Sequence, residues 1–180
     1  MDEALPGLMP LFAPSLFFES GKWPGPHEIM ELPGLGLTWS IEQPGQAMLY
    51  LDGSTAQGWA ASGLDWREES MKNLIRRSAS QLATAEFWRG GMAKELCYAL
   101  AFMHEDGYGP SRLLLEDSLR RVFPAGYAIA LPEMSCGLAV SLQASAAERE
   151  KIEVLVETCF REATRPLVAG IHDPSLLTFR

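Results

Sequence analysis

The sequence predicts an α+β domain in which a mainly antiparallel sheet carries helices on one face. Several short apolar segments follow one another across tight turns, as in hairpins, and other segments show helix caps followed by apolar residues at helical spacing. Of the 180 residues, 47% are hydrophobic and 21% are charged, which is typical of a globular protein. The length suits a single domain with its own core.

The N-terminal segment, residues 1–35, contains half of the twelve prolines, which predicts an extended, non-helical arm without a long strand. Its apolar side chains are too numerous to remain in water, and Phe12, Phe17 and Phe18 are the expected anchors. They pack either on the chain's own domain or on a partner. We therefore expect this arm to precede a single α+β domain of residues 36–180.

Strand and helix patterns follow in order. Residues 36–41 and 46–51 predict two strands joined by the turn Gln43-Pro44-Gly45. A short helix over 55–62 comes next. Asp65, with Glu68 three residues later, predicts the start of a longer helix.

The second half of the chain predicts two hairpins separated by a helix. The expected strands and helix are residues 84–89, 94–103, 111–122 (a helix that Ser111 caps and Pro124 ends), 127–131 and 137–142. The step from 94–103 to 127–131 has the form of a crossover connection.

The clearest element is the last helix. Ser145 and Glu148 form a capping-box pattern, and Pro166 follows the helix. Its apolar residues recur on one face, which predicts that this face, including Phe160, is buried; they are Ile152, Leu155, Val156, Cys159, Phe160 and Ala163.

Charge and cysteine content exclude several classes of protein. With 15 basic and 23 acidic residues the net charge is −8, which argues against nucleic-acid binding, and an acidic N-terminal third suits a basic partner. The given sequence begins with Met1-Asp2-Glu3 and contains no apolar run of membrane-spanning length, so we expect neither a secretory signal nor a membrane span. The three cysteines, Cys97, Cys136 and Cys159, are far apart and odd in number, so we expect no disulfide framework and a reducing cytoplasm.

A group of motifs between residues 55 and 170 resembles the YtpQ-like family of uncharacterised bacterial proteins. The motifs are Trp59 and Gly63 before Asn73-Leu74, the Asp106-Gly107 turn, Ser111 with Leu113-Leu114-Leu115, Ala130-Leu131-Pro132-Glu133 and Pro166-Leu167. The resemblance implies a bacterial protein and implies no activity.

The densest polar cluster is His104-Glu105-Asp106, with Arg112 just beyond the following turn. In an extended chain His104 and Asp106 project from the same side, as a base and its orienting carboxylate would, and Arg112 is suited to an anion. These three are the candidate catalytic residues. The alternative is a solvated turn. Phosphate-binding loops, nucleophile elbows and zinc-protease motifs are absent from the sequence, and we expect no cofactor or metal.

Two functional hypotheses follow. The first is a bacterial cytoplasmic protein-interaction module without catalytic activity, resembling immunity proteins or secretion chaperones in size and charge. Its partner would be another, basic protein, and the candidate contacts are Phe12, Phe17, Phe18, Trp23 and Trp59. The second is a small-molecule-binding protein or enzyme that uses His104, Asp106 and Arg112. A structural subunit of a larger assembly is a third alternative, and the oligomeric state stays open.

Overall fold

The computed structural model describes residues 5–19, 21–42, 48–90 and 93–177, and it confirms the α+β class. Its strands form two four-stranded antiparallel sheets. The first sheet contains β1 (Leu8–Pro14), β2 (His27–Ile29), β3 (Leu35–Ile41) and β4 (Leu49–Tyr50); the second contains β5 (Ala85–Arg89), β6 (Leu96–Phe102), β7 (Tyr127–Glu133) and β8 (Cys136–Ser141). The α-helices are α1 (Leu16–Glu19), α2 (Gly53–Ala61), α3 (Trp66–Ser78), α4 (Glu116–Val122) and α5 (Ala146–Glu162), and short 3-10 helices occupy Leu5–Gly7, Pro110–Leu114 and Pro174–Leu177.

β1 lies inside the predicted arm and pairs over all seven of its residues with β3. The prediction of an arm without a long strand is therefore wrong. Gly7 and Ser15, at the two ends of β1, hydrogen-bond to the chain entering and leaving β3, which places the odd-numbered residues of β1 in the ladder. Pro10 and Pro14 consequently have their nitrogens on the outer edge, where no ladder hydrogen bond is lost.

Side chains close that outer edge of β1. Asn73 of α3 donates to the carbonyls of Leu5 and Leu8, at 2.7 and 2.9 Å, and Ser111 Oγ donates to the carbonyl of Pro10 at 2.8 Å. The edge carbonyls of Leu8 and Pro10 are thus paired without another strand. The helix predicted over 111–122 is also corrected here, because Ser111 does not cap it and Leu115 separates the 3-10 turn from α4.

β2 and β4 both pair with β3, one after the other along the edge opposite β1. β4 is shorter than the strand predicted over 46–51, and the predicted turn at 43–45 lies outside the described residues. Asp52 caps α2 by accepting the Thr55 N–H. Asp65 caps α3 by accepting the Glu68 N–H, as predicted.

The second sheet has the strand order β5, β6, β8, β7. Both predicted hairpins are confirmed, β5 with β6 and β7 with β8. β6 and β7 are each antiparallel to β8, so they run parallel to each other. The segment that joins them crosses β8, which lies between them. The C-terminal segment then covers the outer edge of β7, where Ile129 and His172 exchange two backbone hydrogen bonds of 2.9 and 2.7 Å.

α5 packs on one face of the second sheet, and its predicted capping box at Ser145 and Glu148 is confirmed. Ile152 and Val156 are buried, at 2% and 1% exposure. Phe160 is only half-buried, which corrects the sequence prediction. It lines an open groove together with Ala169 and Gly170.

The other face of the second sheet joins the main core with β1, β3 and α3. Alternation along the strands separates the two layers, because residues opposite one another across the ladder share a face. Leu100, Ala139 and Ile129 face the main core, whereas Ala99 and Val140 face α5.

Candidate functional site

The residues predicted as a catalytic cluster surround the turn after β6. Asp106 accepts two hydrogen bonds from Arg112, with Nη2 2.8 Å from Oδ2 and Nη1 3.3 Å from Oδ1. The backbone N–H of Tyr108 donates to the same carboxylate at 2.9 Å. Gly107 supports this tight turn with a φ of 78°, in the left-handed region that favours glycine. Both oxygens of Asp106 are therefore engaged by the chain itself.

This pair is enclosed. The Arg112 side chain is 2% exposed and that of Asp106 is 17% exposed, and Nε of Arg112 has no hydrogen-bond partner among the described residues. Burial alone would raise the pKa of Asp106, but the Arg112 and Tyr108 hydrogen bonds and the nearby positive charges of Arg112 and Arg77 outweigh it, so the pKa is lowered. Asp106 is accordingly ionised at neutral pH.

His104 does not join the pair. Its Nε2 lies 3.3 Å from the carbonyl oxygen of Gln81, and its Nδ1 is buried without a partner among the described residues. Burial, followed by the positive charge of Arg112, lowers the pKa of His104. The structure thus brings Asp106 and Arg112 together but forms no hydrogen bond between His104 and Asp106 in the described part of the chain.

The pair connects the turn to the first sheet. Arg77 of α3 lies 3.7 Å from Asp106 and also binds Glu42, which follows β3. The Tyr108 hydroxyl is 3.0 Å from Ser40 Oγ, and burial raises the pKa of Tyr108. With its charges paired inside the protein, the cluster holds the turn, α3 and β3 together.

The candidate partner-binding residues separate into two groups. Phe12, Phe18 and Trp59 are 1%, 4% and 7% exposed, so they contribute to the chain's own core and are not accessible to a partner. Phe17 is 43% exposed and Trp23 is half-buried. Only these last two candidates offer surface to another molecule.

Trp23 belongs to a continuous row of rings across one face of the first sheet, which we call the aromatic row: Phe18, Trp23, His27 and Tyr50. The ring centroids of Tyr50 and Trp23 are 4.7 Å apart, those of Trp23 and Phe18 are 5.3 Å apart, and Phe18 stacks on His27 at 4.8 Å. Gly36 of β3 allows this, since a Cβ there would lie 2.4 Å from the Phe18 ring.

The aromatic row is open to solvent at its two ends, Tyr50 and His27. Tyr50 is 43% exposed, His27 is exposed, and Ile29, two residues along β2 on the same face, is 48% exposed. Sequence reasoning missed Tyr50, His27 and Ile29. They come together only through pairing with β3, and no local pattern marks that pairing.

Acidic side chains lie close to the aromatic row in the chain. Asp52 follows β4 and is exposed; hydrogen bonds from Ser54 and Thr55 lower its pKa, so it stays ionised. Glu19, at the end of α1, is exposed and accepts a hydrogen bond from Ser15. Two exposed carboxylates thus lie within two residues of aromatic-row members in the sequence.

The cysteines and the remaining ionisable groups form no recognised metal centre. Within the described residues no group of three or more His, Cys, Asp or Glu side chains is placed to hold a metal ion. Cys97 and Cys136 are buried and Cys159 is half-buried, all as free thiols. Burial and then the neighbouring Cys159 raise the pKa of Cys136 to about 12.

Comparison with protein-family models, curated proteins and solved structures finds no match to this chain. The resemblance to the YtpQ-like family therefore stays a prediction. None of the helices in the described ranges is both long enough and apolar enough to cross a bilayer.

Proposed function

We propose that this protein is a protein-interaction module without catalytic activity, which acts in the bacterial cytoplasm and binds a basic, apolar segment of another protein on the aromatic row. The observation that carries the proposal is the run of ring contacts from Tyr50 to His27, in which Tyr50 and His27 are exposed, Trp23 is half-buried and Phe18 supports them from the core. Trp and Tyr dominate the energetics of protein interfaces, because they bury a large rigid surface at low entropic cost.

Charge supports a basic partner. The chain carries a net charge of −8, and its first 50 residues contain six acidic side chains and one lysine. Asp52 is two residues from Tyr50 in sequence, and Glu19 is next to Phe18. A partner with Lys or Arg around an apolar centre would be attracted to this surface, and added salt would slow its association.

The enclosed Asp106–Arg112 pair does not support the alternative of a His/Asp/Arg catalytic site. A catalytic cluster presents its groups to a substrate, whereas Arg112 is 2% exposed and donates both Nη groups to Asp106. The pair serves the fold instead.

The test is selection of binding peptides from a displayed random library on the wild-type chain. We expect enriched peptides that combine Lys or Arg with aromatic or aliphatic residues. Their affinity for the Tyr50→Ala variant should fall at least about ten-fold, the scale of an interface hot spot, and high salt should weaken their binding.

Matched controls are Ile75→Ala and Val154→Ala, which remove exposed apolar side chains outside the aromatic row, at 55% and 59% exposure. Binding should be unchanged in both. Peptides that bind Tyr50→Ala as well as wild type would contradict the proposal. So would sedimentation showing a dimer of this chain that Tyr50→Ala dissociates, because the surface would then be a self-association interface.

A further inference from the structure

Two tryptophans form a right-angled corner on the opposite face of the first sheet. Trp39 of β3 and Trp66, the first residue of α3, have ring centroids 4.9 Å apart and an interplanar angle of 89°. Trp39 is held in place because its Nε1–H donates to Ser70 Oγ at 3.0 Å. A fixed pair of perpendicular rings presents two electron-rich faces to one point in space.

A cation already occupies this corner, and it belongs to the chain. The Arg67 guanidinium carbon lies 4.2 Å from the Trp66 ring centroid and 5.2 Å from that of Trp39. Arg67 Nε also donates to Glu28 Oε1 at 3.0 Å. The Arg67 side chain is 51% exposed, so it reaches the corner from the solvent side.

Glu28 uses only one of its oxygens. Oε2 is buried and has no hydrogen-bond partner among the described residues. A buried acceptor without a partner is unfavourable, and a second positive group or donor in the corner would relieve it. Arg67 therefore uses only one of the two carboxylate oxygens that the corner offers to a cation.

Two cavities meet at Arg67. One, of about 350 Å³, has a mainly apolar lining that includes Pro10, Leu37, Trp39 and Met71, with the carboxylates of Glu28 and Glu68 at its border. The other, of about 420 Å³, lies between residues 24–26 and α2 and includes Trp66. Arg67 lines both, so its withdrawal would open Trp39 to the first cavity and Trp66 to the second.

We propose that this corner is a binding site for a small organic cation of the alkylammonium class, and that Arg67 is the internal occupant which the ligand displaces. Aromatic faces with a carboxylate recognise quaternary ammonium groups, since such cations are weakly hydrated and carry apolar substituents. Once Arg67 leaves, Glu28 supplies the countercharge, since the carboxylate of Glu68 already pairs with Lys72 at 3.1 Å, and the apolar lining accepts the alkyl groups. This goes beyond the proposed protein-binding function, because it uses the other face of the sheet.

Competition with Arg67 sets the expected affinity. A ligand binds only the fraction of molecules in which Arg67 has withdrawn, so removing that side chain should strengthen binding. We expect choline to bind Arg67→Ala at least about ten-fold more tightly than wild type. Adding Glu28→Gln to Arg67→Ala should weaken choline binding at least about ten-fold, because the cation loses its countercharge. Titration followed by tryptophan fluorescence and calorimetry gives both ratios.

The neutral isostere 3,3-dimethylbutan-1-ol separates a cation site from a simple apolar cavity. It matches choline in shape but lacks the charge, and it should bind Arg67→Ala at least about ten-fold more weakly than choline. Arg120→Ala is the matched control, since it removes another exposed arginine, 63% exposed against 51% for Arg67 and paired with Glu116 on α4, and it should behave as wild type. If Arg67→Ala does not fold, Arg67→Gln provides a second variant that lacks the guanidinium group.

Equal binding of choline and its isostere would overturn the proposal in favour of an apolar cavity. Absence of choline binding to Arg67→Ala and Arg67→Gln up to about 50 mM would show that the Arg67 stack is purely structural. Cosedimentation with phosphatidylcholine vesicles, without binding of free choline, would assign the corner to a lipid headgroup and also contradict a free cation. None of these outcomes depends on the aromatic row, so the two proposals fail separately.

Discussion

Arg112 and Arg67 each pair with a carboxylate, and the two pairs differ in exposure and in how fully the carboxylate is used. Arg112 is 2% exposed, and both oxygens of Asp106 accept hydrogen bonds. Arg67 is 51% exposed, and one oxygen of its partner Glu28 is left without a hydrogen bond among the described residues. The first pair holds the fold together, whereas the second retains capacity for a further molecule.

The largest expected effect comes from breaking the buried pair. Arg112→Met keeps most of the side-chain volume but leaves the Asp106 charge without its main partner, and it should lower the free energy of unfolding by about 3 kcal/mol. That is the low end for a buried pair, because Asp106 keeps 17% exposure and Arg77 remains 3.7 Å away. Denaturant unfolding measures it. A loss under about 1 kcal/mol would mean that the pair is not structural.

Neutralising both members should restore much of that loss. Asp106→Asn keeps an oxygen for the Tyr108 N–H and removes the uncompensated charge, so the double variant with Arg112→Met should regain about 2 kcal/mol over Arg112→Met alone. A double-mutant cycle in denaturant gives the coupling. If the two single losses simply add, the two charges do not depend on each other.

The exposed pair should contribute little to stability. Arg67→Ala removes a solvent-exposed ion pair and a cation–π contact, so the free energy of unfolding should fall by less than about 1 kcal/mol. A small loss of stability in Arg67→Ala, together with a large gain in choline binding, would show that Arg67 differs from Arg112 in not being needed for the fold. A loss comparable to that of Arg112→Met would make Arg67 a structural residue like the other.

The smallest effect concerns pH at His104, which borders the buried pair. Because burial and Arg112 lower its pKa from the usual 6.5, the unfolded chain binds a proton more readily than the folded chain. His104 therefore contributes stability above pH 6.5 that is lost as the pH falls from 6.5 through the lower pKa of the folded chain. The stability of His104→Gln should depend less on pH between about 7.5 and 5.5 in thermal melts. If the stability of His104→Gln depends on pH as strongly as that of the wild type, His104 is not the source of this pH dependence.

Local patterns were sufficient for the elements whose signals are local. The Ser145–Glu148 capping box, the Asp65 cap and the two hairpins of the second sheet all depend on residues a few positions apart, and all are confirmed. Ser111 shows the limit of this reasoning, because its hydroxyl hydrogen-bonds to Pro10, 101 residues away in sequence. No helix-cap rule contains that contact.

The site with spare capacity is the one that sequence reasoning did not find. His104, Asp106 and Arg112 attracted attention because they are close in sequence, and two of them form an enclosed pair. Trp39, Trp66 and Glu28 are brought together by the pairing of β2 with β3 and the packing of α3. Each of them alone is consistent with an ordinary core or surface position, so the arrangement emerges only from the fold.

The prolines of β1 have a consequence for behaviour at high concentration. An exposed strand edge is a template on which further chains can add strands, and this is how β-rich proteins form fibrils. Pro10 and Pro14 remove two of the outward-facing donors, while Asn73 and Ser111 occupy the carbonyls of Leu8 and Pro10. The two prolines, which argued against a strand in the sequence, thus help to protect this edge of the first sheet from aggregation.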